Sequence, residues 1–234
     1  IRKTNYSTNF LGLTLRKQKT NTILVLVPTM TNEFFVDVIN GVAECADNYG
    51  YNIIIGSMEN HQYRSQRFVE LAKSHTVDGI ITTANLFKSH EVYDLLNHVP
   101  LVQCCGYDED LPIWSVSTND EKAASHAVQW LIDHGHKRIG YFGESEQEMT
   151  SNARRQGYES VLRDNGLPII SKRIYHAMFS GRFATWLTDS AKEFLKANPD
   201  MDAVLCFSDM FAYHVIVAAK EMGIRVPEDI QIVG

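Results

Sequence analysis

The sequence predicts an α/β fold with parallel sheets, because two features alternate regularly along its 234 residues. Short runs rich in β-branched residues are followed by stretches whose apolar residues recur at helical spacing. A glycine often follows the helical stretch, where it can adopt the left-handed conformation that ends a helix. The first run, Ile23–Val27, holds no polar residue, as expected for a strand covered on both faces. Such alternation favours parallel strands joined by helices.

The first strand and helix show the pattern in detail. After Ile23–Val27, either Thr31 or Asn32 can cap a helix, and Gly50 can end it. Tyr51–Gly56 then forms the second predicted strand. The apolar residues that share one face of this helix are Phe35, Val38, Ile39, Val42, Ala46 and Tyr49.

The same spacing predicts the remaining elements in order. Further strands are expected at Val77–Thr82, Leu101–Cys105, Arg138–Phe142, Lys172–Ala177, Ala203–Phe207 and Ile230–Val233. Further helices are expected around Gln62–Ser74, His90–Asn97, Asn119–Asp133, Arg154–Asn165, Ala184–Ala197 and Asp209–Met222. These β-α units exceed one small doubly wound sheet, so we expect two α/β lobes, divided near Gly135.

Charge is distributed unevenly along the chain. Residues 1–20 carry five basic groups and no acid, whereas the remaining residues balance to −11. A basic lead segment suggests an N-terminal contact with a polyanion, and a solvated tail is the alternative. No apolar run approaches the roughly 20 residues that span a bilayer. Four cysteines without a C-x-x-C pair indicate a reduced compartment rather than a disulfide scaffold.

The sequence lacks the common signatures of catalysis and of bound cofactors or metals. It contains no G-x-x-x-x-G-K-[ST] loop, no G-x-G-x-x-G after the first strand, no H-E-x-x-H and no G-x-S-x-G. His134 and His136 flank a glycine turn and would point apart, which disfavours a shared metal. Cys104 and Cys105 would lie on opposite faces of a strand. We therefore expect no enzyme, no cofactor and no metal site.

Two adjacent aromatics stand just after the first strand, at the sheet end where ligands of parallel sheets bind. Phe34 and Phe35 point about 100° apart on a helix, so only one of them can join the apolar stripe. Phe35 fits that stripe. Phe34 is left either to meet a ligand or to anchor the loop.

Polar residues stand at similar places later in the chain. Arg154 lies on the inward stripe in the first turn of its predicted helix, where its charge needs a partner. It can bind a ligand, form an internal ion pair or reach the surface, and Thr150 can add a hydroxyl. Ser208 and Asp209 follow a strand at a helix start, where one can cap the helix and the other face a ligand. Such a polar and aromatic cleft suits a sugar or nucleoside more than a lipid.

Short motifs follow one another along the chain in a characteristic order. They are Tyr6-Ser-Thr-Asn9 with Leu15-Arg16, Lys19-Thr-Asn-Thr-Ile23, Asn32-Glu-Phe-Phe35, Val77-Asp-Gly-Ile80, Gly135-His-Lys-Arg-Ile139, Arg154-x-x-Gly157-Tyr158, Ser208-Asp209 and Val226-Pro-Glu-Asp-Ile230. Together they resemble the regulatory part of the lactose/galactose-repressor (LacI/GalR) family of bacterial transcription regulators. The resemblance covers essentially the whole chain. It implies a two-lobed, periplasmic-binding-protein-like (type I) core, in which each lobe is a parallel sheet flanked by helices.

The resemblance also implies roles for single residues. Phe34 and Phe35 match the ligand-stacking aromatics of the family, and Arg154 matches its ligand-binding arginine. The family pair Asp-Asn before a helix is here Asn119-Asp120, which departs from the pattern. Further effector-binding candidates are Thr150, Phe179, Ser208 and Asp209, and the DNA-hinge candidates are Tyr6, Asn9, Leu15 and Arg16. Among these, Leu15 matches a leucine that wedges between base pairs.

From this resemblance we expect three segments and one function. Residues 1–20 are a hinge to a missing DNA-binding head, 21–135 an N-terminal lobe and 136–234 an incomplete C-terminal lobe. The chain is then the effector-binding and dimerisation core of a ligand-responsive, DNA-binding repressor that acts as a cytoplasmic homodimer. It binds a sugar-like or nucleoside-like molecule between its lobes, and its head and hinge bind operator DNA. The alternative is an exported sugar-binding protein of an ABC transporter.

Overall fold

The computed structural model describes residues 19–30, 32–58, 65–83, 89–106, 108, 110–144, 149–177 and 185–234. The chain divides into two compact units between Ser117 and Thr118. Both units have the predicted α/β architecture with parallel strands. None of the helices in the described ranges combines the length and apolar character needed to cross a bilayer.

The first unit is built on a five-stranded parallel sheet with the order β2-β1-β3-β4-β5. Its strands are β1 (Thr22–Val27), β2 (Asn52–Ser57), β3 (Gly79–Thr82), β4 (Leu101–Cys104) and β5 (Trp114–Val116). Its helices are α1 (Glu33–Asn48), α2 (Ser65–Lys73) and α3 (Ser89–Leu96). The sequence pattern did not predict β5, because this strand has only three residues and all three are exposed.

The core of the first unit lies on both faces of β1. Leu24 and Leu26 belong to the buried cluster on one face, and Val25 and Val27 belong to the cluster on the other face. All four side chains are fully buried, which confirms the prediction from the unbroken apolar run.

The second unit is built on a four-stranded parallel sheet with the order β7-β6-β8-β9. Its strands are β6 (Ile139–Glu144), β7 (Ile174–Ala177), β8 (Ala203–Cys206) and β9 (Gln231–Val233). Its helices are α4 (Asp120–Asp133), α5 (Met149–Asp164), α6 (Thr185–Ala197) and α7 (Asp209–Glu221), and a short 3-10 turn (Ser171–Arg173) precedes β7.

The boundary between the units lies before α4, and not after it, near Gly135, where the sequence pattern predicts it. The apolar face of α4, which includes Val128 and Leu131, packs in one buried cluster with Tyr141 of β6 and Tyr158 of α5. Burial of this face against β6 and α5 makes α4 part of the second unit.

Both sheets share a topological switch point. The first strand of each unit, β1 or β6, lies between the second and third strands of that unit. The connection after this strand therefore leads to the neighbour on one side of it, and the next connection crosses over to the neighbour on its other side. In open α/β sheets, ligands bind in the crevice that forms at this point. The crevices thus lie at the carboxyl ends of β1 and β3 in one unit and of β6 and β8 in the other.

An aspartate holds the opposite, amino end of each sheet. Asp78 accepts hydrogen bonds from the Thr20 backbone N–H and hydroxyl at 2.8 Å and from the Asn21 N–H at 2.9 Å. Asp202 accepts equivalent bonds from the backbone N–H groups of Lys137 and Arg138 at 3.3 and 3.0 Å. Asp78 precedes β3 and Asp202 precedes β8, the matching strand of the other sheet. The two units thus have the same hydrogen-bonded arrangement at this end of the sheet.

Candidate functional site

The two adjacent aromatics lie at the start of α1, beyond the carboxyl end of β1. Asn32 caps this helix, because its side-chain oxygen accepts a hydrogen bond from the Phe34 backbone N–H at 3.0 Å. Phe35 packs against the buried cluster that contains Val25 and Ile39, whereas Phe34 is 53% exposed. The two ring centroids are 5.3 Å apart in an edge-to-face arrangement. As predicted, Phe35 joins the core and Phe34 keeps an accessible aromatic surface.

In the second unit, a buried carboxylate holds Arg154. The Nε of Arg154 donates to Oδ1 of Asp120 at 2.8 Å, and its Nη2 lies 2.7 Å from the same oxygen. Asp120 is only 5% exposed, whereas the Arg154 side chain is 31% exposed. The structure therefore contains the internal ion pair that the sequence left open as one alternative. The guanidinium nevertheless stays accessible.

Phe207 makes the remaining contacts to Arg154. Nη1 of Arg154 donates to the backbone carbonyl oxygen of Phe207. The guanidinium carbon also lies 4.8 Å from the centroid of the Phe207 ring, which is within the range of a cation–π contact. The ring packs edge-on against Phe211, with centroids 5.3 Å apart. Because Phe207 directly follows β8, these contacts fix Arg154 at the switch point of the second sheet.

Helix α5 begins earlier than the sequence predicts. It starts at Met149, so Arg154 lies in the second turn and not in the first. The Ser151 hydroxyl donates to the Glu144 carbonyl at 3.0 Å, and the Tyr141 hydroxyl donates to the Ser151 carbonyl at 2.9 Å. Burial raises the pKa of Tyr141 to about 12, so its hydroxyl stays a donor. These bonds occupy the polar groups of Ser151, a residue type that is a weak helix former. They also tie the first turn of α5 to β6.

Three further effector-binding candidates lie close in sequence to Arg154 or Phe207: Thr150 precedes the first, and Ser208 and Asp209 follow the second. Thr150 is half-buried and stands one turn before Arg154 on α5. Ser208 occupies the N-cap position of α7, but its side chain makes no capping hydrogen bond, so the hydroxyl is not used to begin the helix. Asp209 is exposed in the first turn of α7, and a Cβ on Gly234 would come within 2.5 Å of its Oδ1.

The candidate residues therefore form one group in each unit. Phe34 and Phe35 belong to the first, and Thr150, Arg154, Ser208 and Asp209 belong to the second. The remaining candidates lie outside the described residues, and these are Phe179 of the effector site and Tyr6, Asn9, Leu15 and Arg16 of the hinge.

Two residues of the second group, Asp120 and Phe207, were not among the effector-binding candidates predicted from the sequence, although Asp120 stands in the Asn119-Asp120 pair that departs from the family pattern. In the sequence, Asp120 follows the capping residue Asn119. Its presence in the first turn is explained by the favourable interaction of an acid with the helix dipole, so this position gave no sign of a further role. The apolar pattern places Phe207 at the end of the predicted strand Ala203–Phe207, so the pattern indicates a core residue. Only the packing of α4 against α5 brings Asp120 to Arg154, and no local pattern carries that information.

The described ranges contain no group of three or more His, Cys, Asp or Glu side chains that could hold a metal ion. The absence of a metal, of a cofactor and of catalysis remains a prediction.

Residues 20–233 match the family model described as periplasmic binding proteins and sugar binding domain of the LacI family. The chain belongs to this family. Its fold is accordingly the two-lobed, type I periplasmic-binding-protein-like fold, as the sequence motifs indicated. The resemblance to the LacI/GalR family is confirmed.

The relatives of the chain are transcriptional regulators. The chain is 28% identical to the repressor CytR of Escherichia coli over 234 residues, which are all of this chain and 68% of CytR. It is also 28% identical to catabolite control protein A of Priestia megaterium, with coverage of 100% and 70%. The crystal structure of the regulator CcpA of Lactococcus lactis superimposes with a TM-score of 0.78 at 25% identity, over 90% of this chain and 76% of that one.

These matches identify the chain as the effector-binding core of a LacI-family transcriptional regulator. They do not favour the alternative, an exported sugar-binding protein, because the relatives named above are regulators of transcription and not transport proteins or enzymes.

Proposed function

We propose that this chain senses a sugar-like or nucleoside-like effector through Arg154 and passes that signal to a DNA-binding segment of the same protein. The observation that carries the proposal is the position of Arg154. Its guanidinium is fixed by Asp120 and Phe207 at the sheet switch point, and it remains 31% exposed. A guanidinium fixed in this way has little conformational entropy to lose when it binds a ligand.

The other effector contacts come from the remaining candidates. Phe34 offers an exposed ring that can cover the apolar face of a sugar or stack on a base. The Ser208 hydroxyl makes no capping bond, and the Thr150 hydroxyl stands one turn before Arg154. Asp209, Phe35 and Phe179 complete the proposed set. Hydroxyls, an arginine and aromatic rings together favour a polar, ring-shaped molecule.

The DNA contact is proposed for residues 1–20, which carry five basic groups and no acid. Within them, Leu15 is the proposed minor-groove wedge, and Tyr6, Asn9 and Arg16 belong to the same hinge. Effector binding shifts the population between states that differ in DNA affinity, which requires differential affinity and no covalent chemistry. We place the protein in the cytoplasm, where operator DNA is accessible.

A homodimer is the proposed working form. Met210, Tyr213 and Ile216 lie at three-residue intervals on α7, and they are 41%, 62% and 41% exposed. This spacing places them along one face of the helix. An exposed apolar row suits a self-complementary contact with a second copy of the chain, because a two-fold axis places the same patch on both subunits.

The test uses the full-length protein and an operator selected from random DNA sequences. DNA affinity is measured by fluorescence anisotropy with and without each member of a panel of sugars and nucleosides. At least one panel member should change the affinity by about 5- to 150-fold, the usual range of allosteric coupling. Failure of every panel member to change DNA affinity would contradict the proposal.

The matched variant for this test is Arg154→Lys. Lysine keeps a positive charge beside Asp120 but lacks the planar donor fork, so the fold should persist while effector binding weakens. We expect the variant to bind the operator as the parent does and to need at least tenfold more effector for the same response. An unchanged effector response would exclude Arg154 from the site.

A further inference from the structure

The hydrogen bonds of Arg154 restrict what its guanidinium can recognise. The side chain has five N–H donors. Within the described residues, Nε and Nη2 each direct one donor to Asp120, and Nη1 directs one to the Phe207 carbonyl. One hydrogen on each terminal nitrogen therefore remains for a ligand, while the Nε edge of the guanidinium is filled by the carboxylate.

Among the described residues, one carboxylate also balances the charge of Arg154. Asp120 lies 2.7 Å from Nη2 and is almost completely buried, so it neutralises the guanidinium at close range. The neighbouring Arg155 is 3.8 Å from Glu159. At the start of α7, the exposed carboxylate of Asp209 offsets the partial positive charge of the helix N-terminus.

An anionic ligand group would meet electrostatic repulsion at this place. Asp120 already occupies the guanidinium edge formed by Nε and Nη2, so an anion can approach only the hydrogens left on Nη1 and Nη2. An anion at the remaining hydrogens would stand close to the buried carboxylate, and like charges in a partly desolvated site repel each other strongly. A hydroxyl or carbonyl oxygen accepts the same two hydrogens without that repulsion.

We infer that Asp120 is a positioning residue that makes the Arg154 subsite selective for an uncharged oxygen of the effector. The effector is then a neutral polyhydroxy compound, such as a free sugar or nucleoside, and its phosphorylated or carboxylated counterpart is rejected. This inference rests on the proposed effector-binding function and deepens it.

The test compares matched pairs of probes on the full-length protein by isothermal titration calorimetry. The pairs are glucose with glucose 6-phosphate and with glucuronate, ribose with ribose 5-phosphate, and adenosine with adenosine 5′-monophosphate. In the pair that binds, we expect the parent protein to bind the neutral member at least tenfold more tightly. In Asp120→Asn, an acceptor oxygen for Arg154 remains but the negative charge is gone, so this preference should fall by at least tenfold.

Two further variants separate charge from structure. Asp133→Asn makes the same chemical change on an exposed residue at the other end of α4, and it should leave the preference unchanged. The double variant Asp120→Asn/Arg154→Gln removes both charges, so an anion meets neither repulsion nor attraction there; its preference for the neutral member should lie between those of the parent and Asp120→Asn, at lower absolute affinity. The readout is a ratio of two affinities on one sample, and a partial loss of folded protein cancels from it.

The outcomes distinguish this inference from the proposed function. If the parent binds an anionic probe at least as tightly as its neutral counterpart and that probe changes DNA affinity, the charge inference falls and the proposed function stands. The charge inference also falls if Asp120→Asn keeps the parent's preference. If no probe of either class binds or changes DNA affinity, both fall together.

Discussion

Gly157 of α5 packs directly against the backbone carbonyl of Glu121 in α4. A Cβ at position 157 would overlap that carbonyl oxygen and would lie 3.0 Å from the Ser125 hydroxyl oxygen. The same hydroxyl donates to the Glu121 carbonyl at 2.8 Å. The two helices are therefore as close as their backbones allow, and this approach places Asp120 of α4 beside Arg154 of α5.

Substitution of Gly157 by alanine should destabilise the chain. The added methyl group has no room, so α4 and α5 must separate, and overpacking of this kind costs about 1–3 kcal/mol. The free energy of unfolding, measured by urea denaturation, should fall by that amount. Gly41→Ala is the control, because nothing lies within 4 Å of a Cβ there on the exposed side of α1. That change should instead stabilise the chain by about 0.5–1 kcal/mol. Equal effects of the two changes would show that helix spacing is not limiting.

Asp78→Ala should loosen the start of the first sheet. It removes three hydrogen bonds that Thr20 and Asn21 donate to this carboxylate. Bonds to a charged acceptor in a partly exposed place should contribute about 1–3 kcal/mol together. We expect a matching loss of unfolding free energy and faster hydrogen exchange at the Thr20 and Asn21 amides. Asp78→Asn keeps one acceptor oxygen and should lose less, whereas an unchanged exchange rate in Asp78→Ala would contradict the role of the carboxylate.

Stability should decline in mild acid because of His214. This side chain is 8% exposed, its Nδ1 lies 2.8 Å from the Thr188 hydroxyl oxygen, and burial lowers its pKa below the ordinary 6.5. As pH falls below about 6.5, the unfolded chain takes up a proton before the folded chain does, so the folded state loses stability. The urea midpoint should therefore drop more between pH 7.5 and 5.5 in the parent than in His214→Gln. An identical drop in both proteins would exclude His214 as the cause.

Tyr213→Glu should dissociate the proposed homodimer. The side chain is 62% exposed in the middle of the apolar row on α7, so a carboxylate there costs the monomer little. Two facing carboxylates at a two-fold contact would repel each other, and the sedimentation coefficient should fall to that of a monomer at micromolar protein. The control is Tyr93→Glu, a tyrosine that is 52% exposed on α3. A stable dimer in Tyr213→Glu would place the interface elsewhere.

Much of the fold is visible in the sequence because local rules govern it. The buried run at β1, the cap at Asn32 and the helix-ending Gly50, with φ of +71°, each follow from backbone and side-chain chemistry within a few residues. The same local rules separate Phe34 from Phe35, since adjacent helical residues point in different directions. The order of the short motifs along the chain also indicated the family, which the family model confirms. Residues 1–20 stay a prediction, because the described part of the chain begins at Lys19.

Long-range packing decided the rest. Strand β5 has three exposed residues and forms because it pairs with β4. The apolar pattern of one segment carries no information about such pairing. Helix α4 belongs to the second unit because its apolar face meets Tyr141 and Tyr158. Arg154 was recognisable by itself as a residue that needs a partner, but its partner stands 34 residues away on another helix. Residue types and motif order predicted the effector-binding candidates, whereas the pairing of Asp120 with Arg154 emerged only from the packing of α4 against α5, because side-chain pairing between helices depends on how closely their backbones approach.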